Sequence, residues 1–214
     1  KKLHETYFNT IDKLITSESR NIDVKQYVTD IFNFLIKCTY QDSSIDLEND
    51  IVAQGELLST YMFNSYLQQD GIKSALLPAL NFMRIDKTKE PDMFYIKQDF
   101  KATFNDTPEA NIYITQGFIC LDERGKVSNL QRGGSDYTAT IIGAVIKAEE
   151  VEIWTDIDGM HNNDPRYVEN TKPISNLSFD EAAELAYFGA KILHPQTVTP
   201  VRADNIQVRL KNTM

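Results

Sequence analysis

From Asp136 onward the chain alternates helix-period and strand-period segments joined by short connections, and this alternation constrains the fold more than any other feature. Ala139, Ile142, Val145 and Ile146 recur at three-and-four spacing, "VEIWTD" reads as a buried strand, residues 178–190 as a second helix and "IQVRL" as a final strand. Strands separated by helices pair in parallel, because a parallel neighbour is reached only through a long crossover, and such a sheet is buried by helices on both faces. The expected fold class is therefore α/β: a mainly parallel open sheet with helices on both faces.

Upstream, Val24, Tyr27, Ile31, Phe34, Leu35 and Cys38 mark an amphipathic helix. A second helical pattern carries Ile51, Val52, Leu58, Met62, Phe63, Tyr66 and Leu67 on its apolar side, is interrupted by Gly55 and Glu56, and stops at Gly71. Strand-like pieces follow at residues 74–77 and 111–121, the latter alternating Ile112, Ile114 and then Phe118 with polar neighbours. No composition break marks a second domain. The 214 residues suffice for one sizeable core.

A formal charge of -9 excludes nonspecific binding to nucleic acid or to an anionic membrane, since both need a basic surface, so any anionic ligand must be held by local positive groups. Cys38 and Cys120 have neither metal-ligand spacing nor a disulfide framework, and no apolar run approaches the ~20 residues of a membrane span, so a reducing cytoplasm is the expected location. The chain opens on "KKLHETYFNT", with no initiator methionine or signal peptide, and closes on "VRLKNTM" while still reading as a strand, as a piece cut at both ends would.

Three stretches carry candidate chemistry. In "LQRGGSD", Arg132 and the glycines precede a helix, where unpaired backbone N–H groups and the dipole favour an anion; a tight turn capped by Ser135 or Asp136 is the plain alternative. In "WTDIDGMHNNDPR", Asp156, Asp158, Asn162 and Asp164 suggest a calcium loop, but its twelfth position is Tyr167 rather than glutamate, so calcium is rejected. The loop remains a ligand candidate at the end of a parallel strand, or a surface turn. In "SFDEAAELAYFGAKILHP", Ser178 and Glu181 form a capping box, Ala182, Leu185, Ala186 and Phe188 or Gly189 face a core, and Lys191 emerges past the helix, where interaction with the dipole would explain it alone. His194 reads as structural, and His4, His161 and His194 do not cluster as zinc ligands.

Five ordered motifs, "AQGELLS" (53–59), "ITQGFI" (114–119), "RGGSDYTA" (132–139), "IWTDIDGM" with "DPR" (153–166) and "ELAYFGAKILHP" (184–195), make the chain similar to the aspartokinases, members of the amino-acid kinase family. The resemblance is strong from Ile51 onward and weak before it. It implies transfer of the γ-phosphoryl group of ATP to the side-chain carboxylate of L-aspartate, with ATP and Mg²⁺ required. It further implies that Arg132 forks onto a substrate carboxylate, that Gly133, Gly134 and Ser135 lie near the reacting groups, and that Glu56 pairs with the substrate ammonium. Asp136 would organise Mg²⁺ or a neighbouring lysine, Arg166, Lys191 and Ile192 would face the nucleotide, and Thr155, Asp156 and His161 would contact it.

Some features depart from that pattern. Cys120 and Gln131 stand where glycine is usual, and His161 where tyrosine is common, which puts that one contact in question. The family's first strand, with its Lys-Phe-Gly-Gly stretch and catalytic lysine, and its C-terminal pair of ACT regulatory modules are not in these residues. The expectation is therefore an interior part of a catalytic domain, with residues 1–50 mostly helical and 51–214 binding substrate and nucleotide, inactive alone. A homo-oligomeric parent is expected, and fusion to homoserine dehydrogenase stays open. The rivals are another amino-acid kinase, acting on glutamate, acetylglutamate or a nucleoside monophosphate, and a noncatalytic nucleotide-binding or dimer-forming module.

Overall fold

The N-terminal part is built from three helices, α1 (Lys2–Leu14), α2 (Glu18–Cys38) and α3 (Ile45–Gln69), whose apolar stripes meet in one cluster of Ile11, Ile15, Val24, Val28, Ile31 and Leu58. The computed structural model describes residues 2–131, 133–156, 159–163, 167–188 and 195–214. The chain divides into two compact units, Lys1–Asn129 and Leu130–Met214.

In the first unit, helix α3 begins where the Ser44 side chain accepts a hydrogen bond from the Leu47 N–H (3.2 Å) and ends before Gly71, whose φ of +77° is the left-handed conformation glycine adopts without a Cβ clash. The stop at Gly71 is as expected. Its apolar face is not: Ile51, Val52 and Phe63 are exposed, as is Phe34 of α2, while Ala53, Leu58, Asn64 and Ser65 are buried. Burial follows the packing partner rather than hydropathy here, since the Ser74 hydroxyl donates to Asn64 Oδ1 (2.8 Å) where the helix meets the next strand.

That strand, β1 (Ser74–Leu76), pairs in parallel with β2 (Ile112–Ile114), and α4 (Met93–Asp106), started by the Asp92 side chain, lies between them in sequence. The single strand anticipated at 111–121 is instead two, β2 and β3 (Ile119–Leu121), because the chain turns at Phe118 with a left-handed φ of +69°. β3 forms an antiparallel hairpin with β4 (Val127–Asn129). Asp122 closes its turn by accepting from the backbone N–H groups of Arg124 and Lys126 and from the Arg124 guanidinium.

The second unit delivers the expected alternation: α5 (Gly134–Ile146), β5 (Glu150–Thr155), α6 (Phe179–Phe188), α7 (Thr199–Arg202) after a 3-10 turn, and β6 (Gln207–Asn212). β5 and β6 pair in parallel from Glu150 opposite Gln207 to Thr155 opposite Asn212. Ala144, Val151, Ile153, Met160, Val198, Val201 and Ile206 form the core, with Ala139, Ala182 and Leu185 packed on it as anticipated; the side chains of Ala186 and Phe188, and Gly189, lie outside the described residues. The capping box is present, Ser178 N–H donating to Glu181 Oε2 (2.7 Å) and Glu181 N–H to Ser178 Oγ (3.2 Å). Across the strand pair Arg209 reaches Glu150 (2.8 Å) and Lys211 reaches Glu152, opposite charges on a partly exposed face. Among the described residues no helix is long and apolar enough to cross a membrane.

Gly143 shows how tightly α5 is seated. A Cβ there would lie 2.5 Å from Val151 Cγ2, and a stiff β-branched neighbour cannot rotate away. Gly143→Ala is expected to destabilise the protein by about 1–3 kcal/mol despite the better helix propensity of alanine, measured by urea unfolding.

Candidate active site

Helix α5 starts without a side-chain cap. Its N-cap is Gly133, at φ +70°, and neither Ser135 nor Asp136 takes the capping position anticipated for them, because the left-handed glycine starts the helix earlier and puts both inside the first turn. Tyr137 N–H donates back to the Gly133 carbonyl at 2.7 Å. A helix entered this way has, among the described residues, no side-chain cap bonded to its first backbone donors, and those donors with the positive dipole end suit an anion. Gln131, just before it, also has positive φ (+58°), which gives a physical reason for the glycine usual at that place. Arg132 lies outside the described residues.

Asp136, exposed only in part, makes no hydrogen bond or ion pair among the described residues, and burial pushes its carboxyl above the ordinary carboxylate value. A first-turn position by itself favours ionisation, so at this carboxyl burial outweighs the helix dipole. Glu56, in the middle of α3, is in the same condition: half-buried, raised by burial, and without a partner among the described residues. A carboxylate desolvated in this way with no countercharge among the described residues is a candidate for a ligand contact. The residue before it, Gly55, has nothing within 4 Å of where a Cβ would stand, so packing does not require glycine there. Gly55→Ala is expected to stabilise the fold by about 0.5–1 kcal/mol, checked by the same urea titration; a simultaneous rise in substrate KM would show that the open space belongs to a ligand.

Thr155 ends β5 and Asp156 follows it, at the carboxyl end of a parallel strand where α/β sheets bind ligands. Thr155 donates to Asp156 Oδ1 (3.2 Å), and Thr213 holds the Thr155 carbonyl through its N–H (2.9 Å) and hydroxyl (3.1 Å). His161 is buried, its Nδ1 2.9 Å from Thr171 Oγ1, in an antiparallel bridge with Pro173. Around it Ile174 N–H donates to the Met160 carbonyl (2.7 Å) and Asn162 N–H to the Lys172 carbonyl (3.0 Å), which closes the neck of the aspartate-rich loop. Asp158, Asp164, Arg166, Lys191, Ile192 and His194 lie outside the described residues.

Cys120 is fully buried and its thiol is pushed up to about 12 by burial, so it stays protonated and serves packing. Among the described residues no group of three or more His, Cys, Asp or Glu side chains is placed to hold a metal ion. A cavity of about 1180 Å³ in the second unit, lined by Pro173, Leu177, Phe179, Val208 and Leu210, includes none of Gly133, Asp136, Thr155 or Asp156. What the sequence did not reveal is the β3–β4 hairpin that leads into the glycine loop; its only local signal is "DERG", a turn spelling at residues 122–125.

The sequence profile of the amino acid kinase family matches residues 9–212. The chain belongs to the amino acid kinase family. Within it, the chain is 39% identical over 164 residues to lysine-sensitive aspartokinase 3 of Escherichia coli K12, covering 74% of this chain and 36% of that protein. It is 36% identical over 165 residues to the bifunctional aspartokinase/homoserine dehydrogenase of Buchnera aphidicola, covering 76% of this chain and 20% of that protein. Its structure is similar to that of E. coli aspartokinase III in complex with aspartate and ADP (R-state), with a TM-score of 0.81 and 31% identity over 94% of this chain and 46% of that one. The chain thus spans 36% of the length of the E. coli relative. The parallel pairs β1–β2 and β5–β6 are part of an α/β chain similar in structure to that aspartokinase.

Proposed function

We propose that these residues form the substrate- and nucleotide-binding part of an aspartate kinase, which transfers the γ-phosphoryl group of MgATP to the side-chain carboxylate of L-aspartate and yields 4-phospho-L-aspartate, the entry to lysine, threonine and methionine synthesis. The observation that carries this reading is the uncapped N-terminus of α5 with the unpartnered carboxylate of Asp136 in its first turn. Phosphoryl transfer asks a protein for positioning and charge neutralisation rather than covalent chemistry. The Gly133–Ser135 backbone donates to developing negative charge, Arg132 forks onto a substrate carboxylate, and Glu56 accepts from the substrate ammonium. Thr155 and Asp156 line the nucleotide, with His161 and Ile192 beside it, and Arg166 and Lys191 face its phosphates.

Asp136 fits magnesium on the chemistry of its donor set: a hard, partly desolvated carboxylate oxygen with no competing cation among the described residues, where Mg²⁺ typically takes one or two carboxylates and fills its remaining positions with phosphate oxygens and water. When bound with ATP, the ion neutralises charge on the phosphates. The full-length gene product is read as a cytoplasmic homo-oligomer. Similarity to a bifunctional relative supports a fused homoserine dehydrogenase as one form of that product.

The test is chemical. An acyl phosphate is trapped by hydroxylamine as a hydroxamate, so the full-length gene product with MgATP, aspartate and hydroxylamine should form aspartyl hydroxamate. Hydroxamate formation that ignores aspartate would refute the assignment.

A further inference from the structure

Gln116 of the "ITQGF" motif is 4% exposed, and both ends of its amide are used. Its Oε1 accepts from the Ala79 N–H (2.8 Å) and its Nε2 donates to Thr60 Oγ1 (2.7 Å), whose own proton goes to the Glu56 carbonyl (2.8 Å). The direction of this chain is fixed, because the Ala79 N–H can only donate. That sets the amide orientation, leaves Thr60 accepting from Nε2, and commits its single proton to the helix backbone. Three segments remote in sequence are thereby tied at one point of α3: the 3-10 turn Ala79–Asn81, the loop before β3 with its left-handed Phe118, and the helical turn that starts at Glu56.

We infer that Gln116 and Thr60 are positioning residues for substrate recognition, holding the α3 backbone at Glu56 so that its carboxylate meets the substrate ammonium; this rests on the reading of Glu56 given above. The helix needs such a hold here. Gly55, the weakest ordinary helix former, directly precedes Glu56, and a threonine hydroxyl bonded one turn back bends a helix locally. The Glu56 carboxylate has no partner among the described residues, so its backbone, bonded by Thr60, is the part of the residue that the structure holds in place. A glutamine serving only to fill the core would be replaceable by an apolar residue of the same length without effect on one substrate in particular.

Steady-state kinetics of the full-length gene product decide it. Gln116→Met and Thr60→Val should each raise the aspartate KM about tenfold while the MgATP KM stays within about twofold, and Thr60→Ser, which keeps the hydroxyl, should restore the aspartate KM. The double variant Gln116→Met/Glu56→Gln should be no worse than Glu56→Gln alone, since both act through one contact. If Gln116→Met does not fold, Thr60→Val at its half-buried position carries the test. An unchanged aspartate KM, an equal rise in both KM values, or additive losses in the double variant would overturn the inference. An unchanged aspartate KM in Glu56→Gln itself would overturn it through its premise, and is distinguishable because that single variant contains neither Gln116 nor Thr60 changes.

Discussion

Asp136→Asn is expected to lower kcat at least a hundredfold, ~2.7 kcal/mol of transition-state stabilisation, while raising the Tm of the ligand-free protein at pH 7. The two effects have one origin. Burial holds the Asp136 carboxyl above its ordinary value, so the folded protein binds that proton more tightly than the unfolded chain. The resulting stability is complete below the unfolded pKa and is lost as pH rises through the raised folded pKa, so at neutral pH the ionised carboxylate is a cost to folding. Asparagine keeps the shape and removes the charge, relieving that cost and removing the negative oxygen proposed above to hold the magnesium ion. The Tm difference between variant and parent should close as pH is lowered toward the ordinary carboxylate value, and parent activity should rise with pH through the raised one. Thermal unfolding at several pH values beside kcat checks this; a fall in both Tm and activity at pH 7 would make Asp136 a structural group.

Arg132→Lys is expected to lower kcat/KM for aspartate at least tenfold, ~1.4 kcal/mol, because an ammonium retains the charge but cannot form the planar two-point contact with a carboxylate. The KM for MgATP should change little. Arg166→Ala supplies the contrast, since a charge facing the nucleotide phosphates should weaken ATP use and leave aspartate binding in place. Initial rates with each substrate varied separately distinguish the two, and unchanged aspartate kinetics in Arg132→Lys would remove the arginine from the substrate site.

Legibility in the sequence followed physical strength of signal. The run from α5 to β6 was readable in the type and order of its elements because they pack on one core, but not in their faces: Ile146 and Trp154 are exposed, and α5 turns Ile141 and Ala144 inward instead. α4 leaves little trace in the sequence, since only Ile96 and Phe100 of its residues are buried, too narrow a stripe to stand out, and β4 is short and lies in a hairpin rather than a crossover. The exposure of Ile51, Val52 and Phe63 has no signature in the sequence, because hydropathy cannot say which side of a long helix meets its partner. Glu56 and Asp136 were legible as residues of recognisable motifs, whereas the cap at Gly133 was not, since residue type favours Ser135 or Asp136 and only the backbone conformation selects the glycine. The Gln116–Thr60 bond joins positions 56 apart and has no local trace at all.

The most direct measurement is coupled ADP release by the full-length gene product with MgATP, supplied in turn with L-aspartate, L-glutamate, N-acetylglutamate and UMP, in the parent and in Glu56→Gln. The expected result is turnover that requires aspartate, is absent with the other three acceptors, and falls sharply in the variant. Turnover with another acceptor in place of aspartate, or aspartate turnover indifferent to the loss of the Glu56 charge, would contradict the assignment of these residues to aspartate phosphorylation.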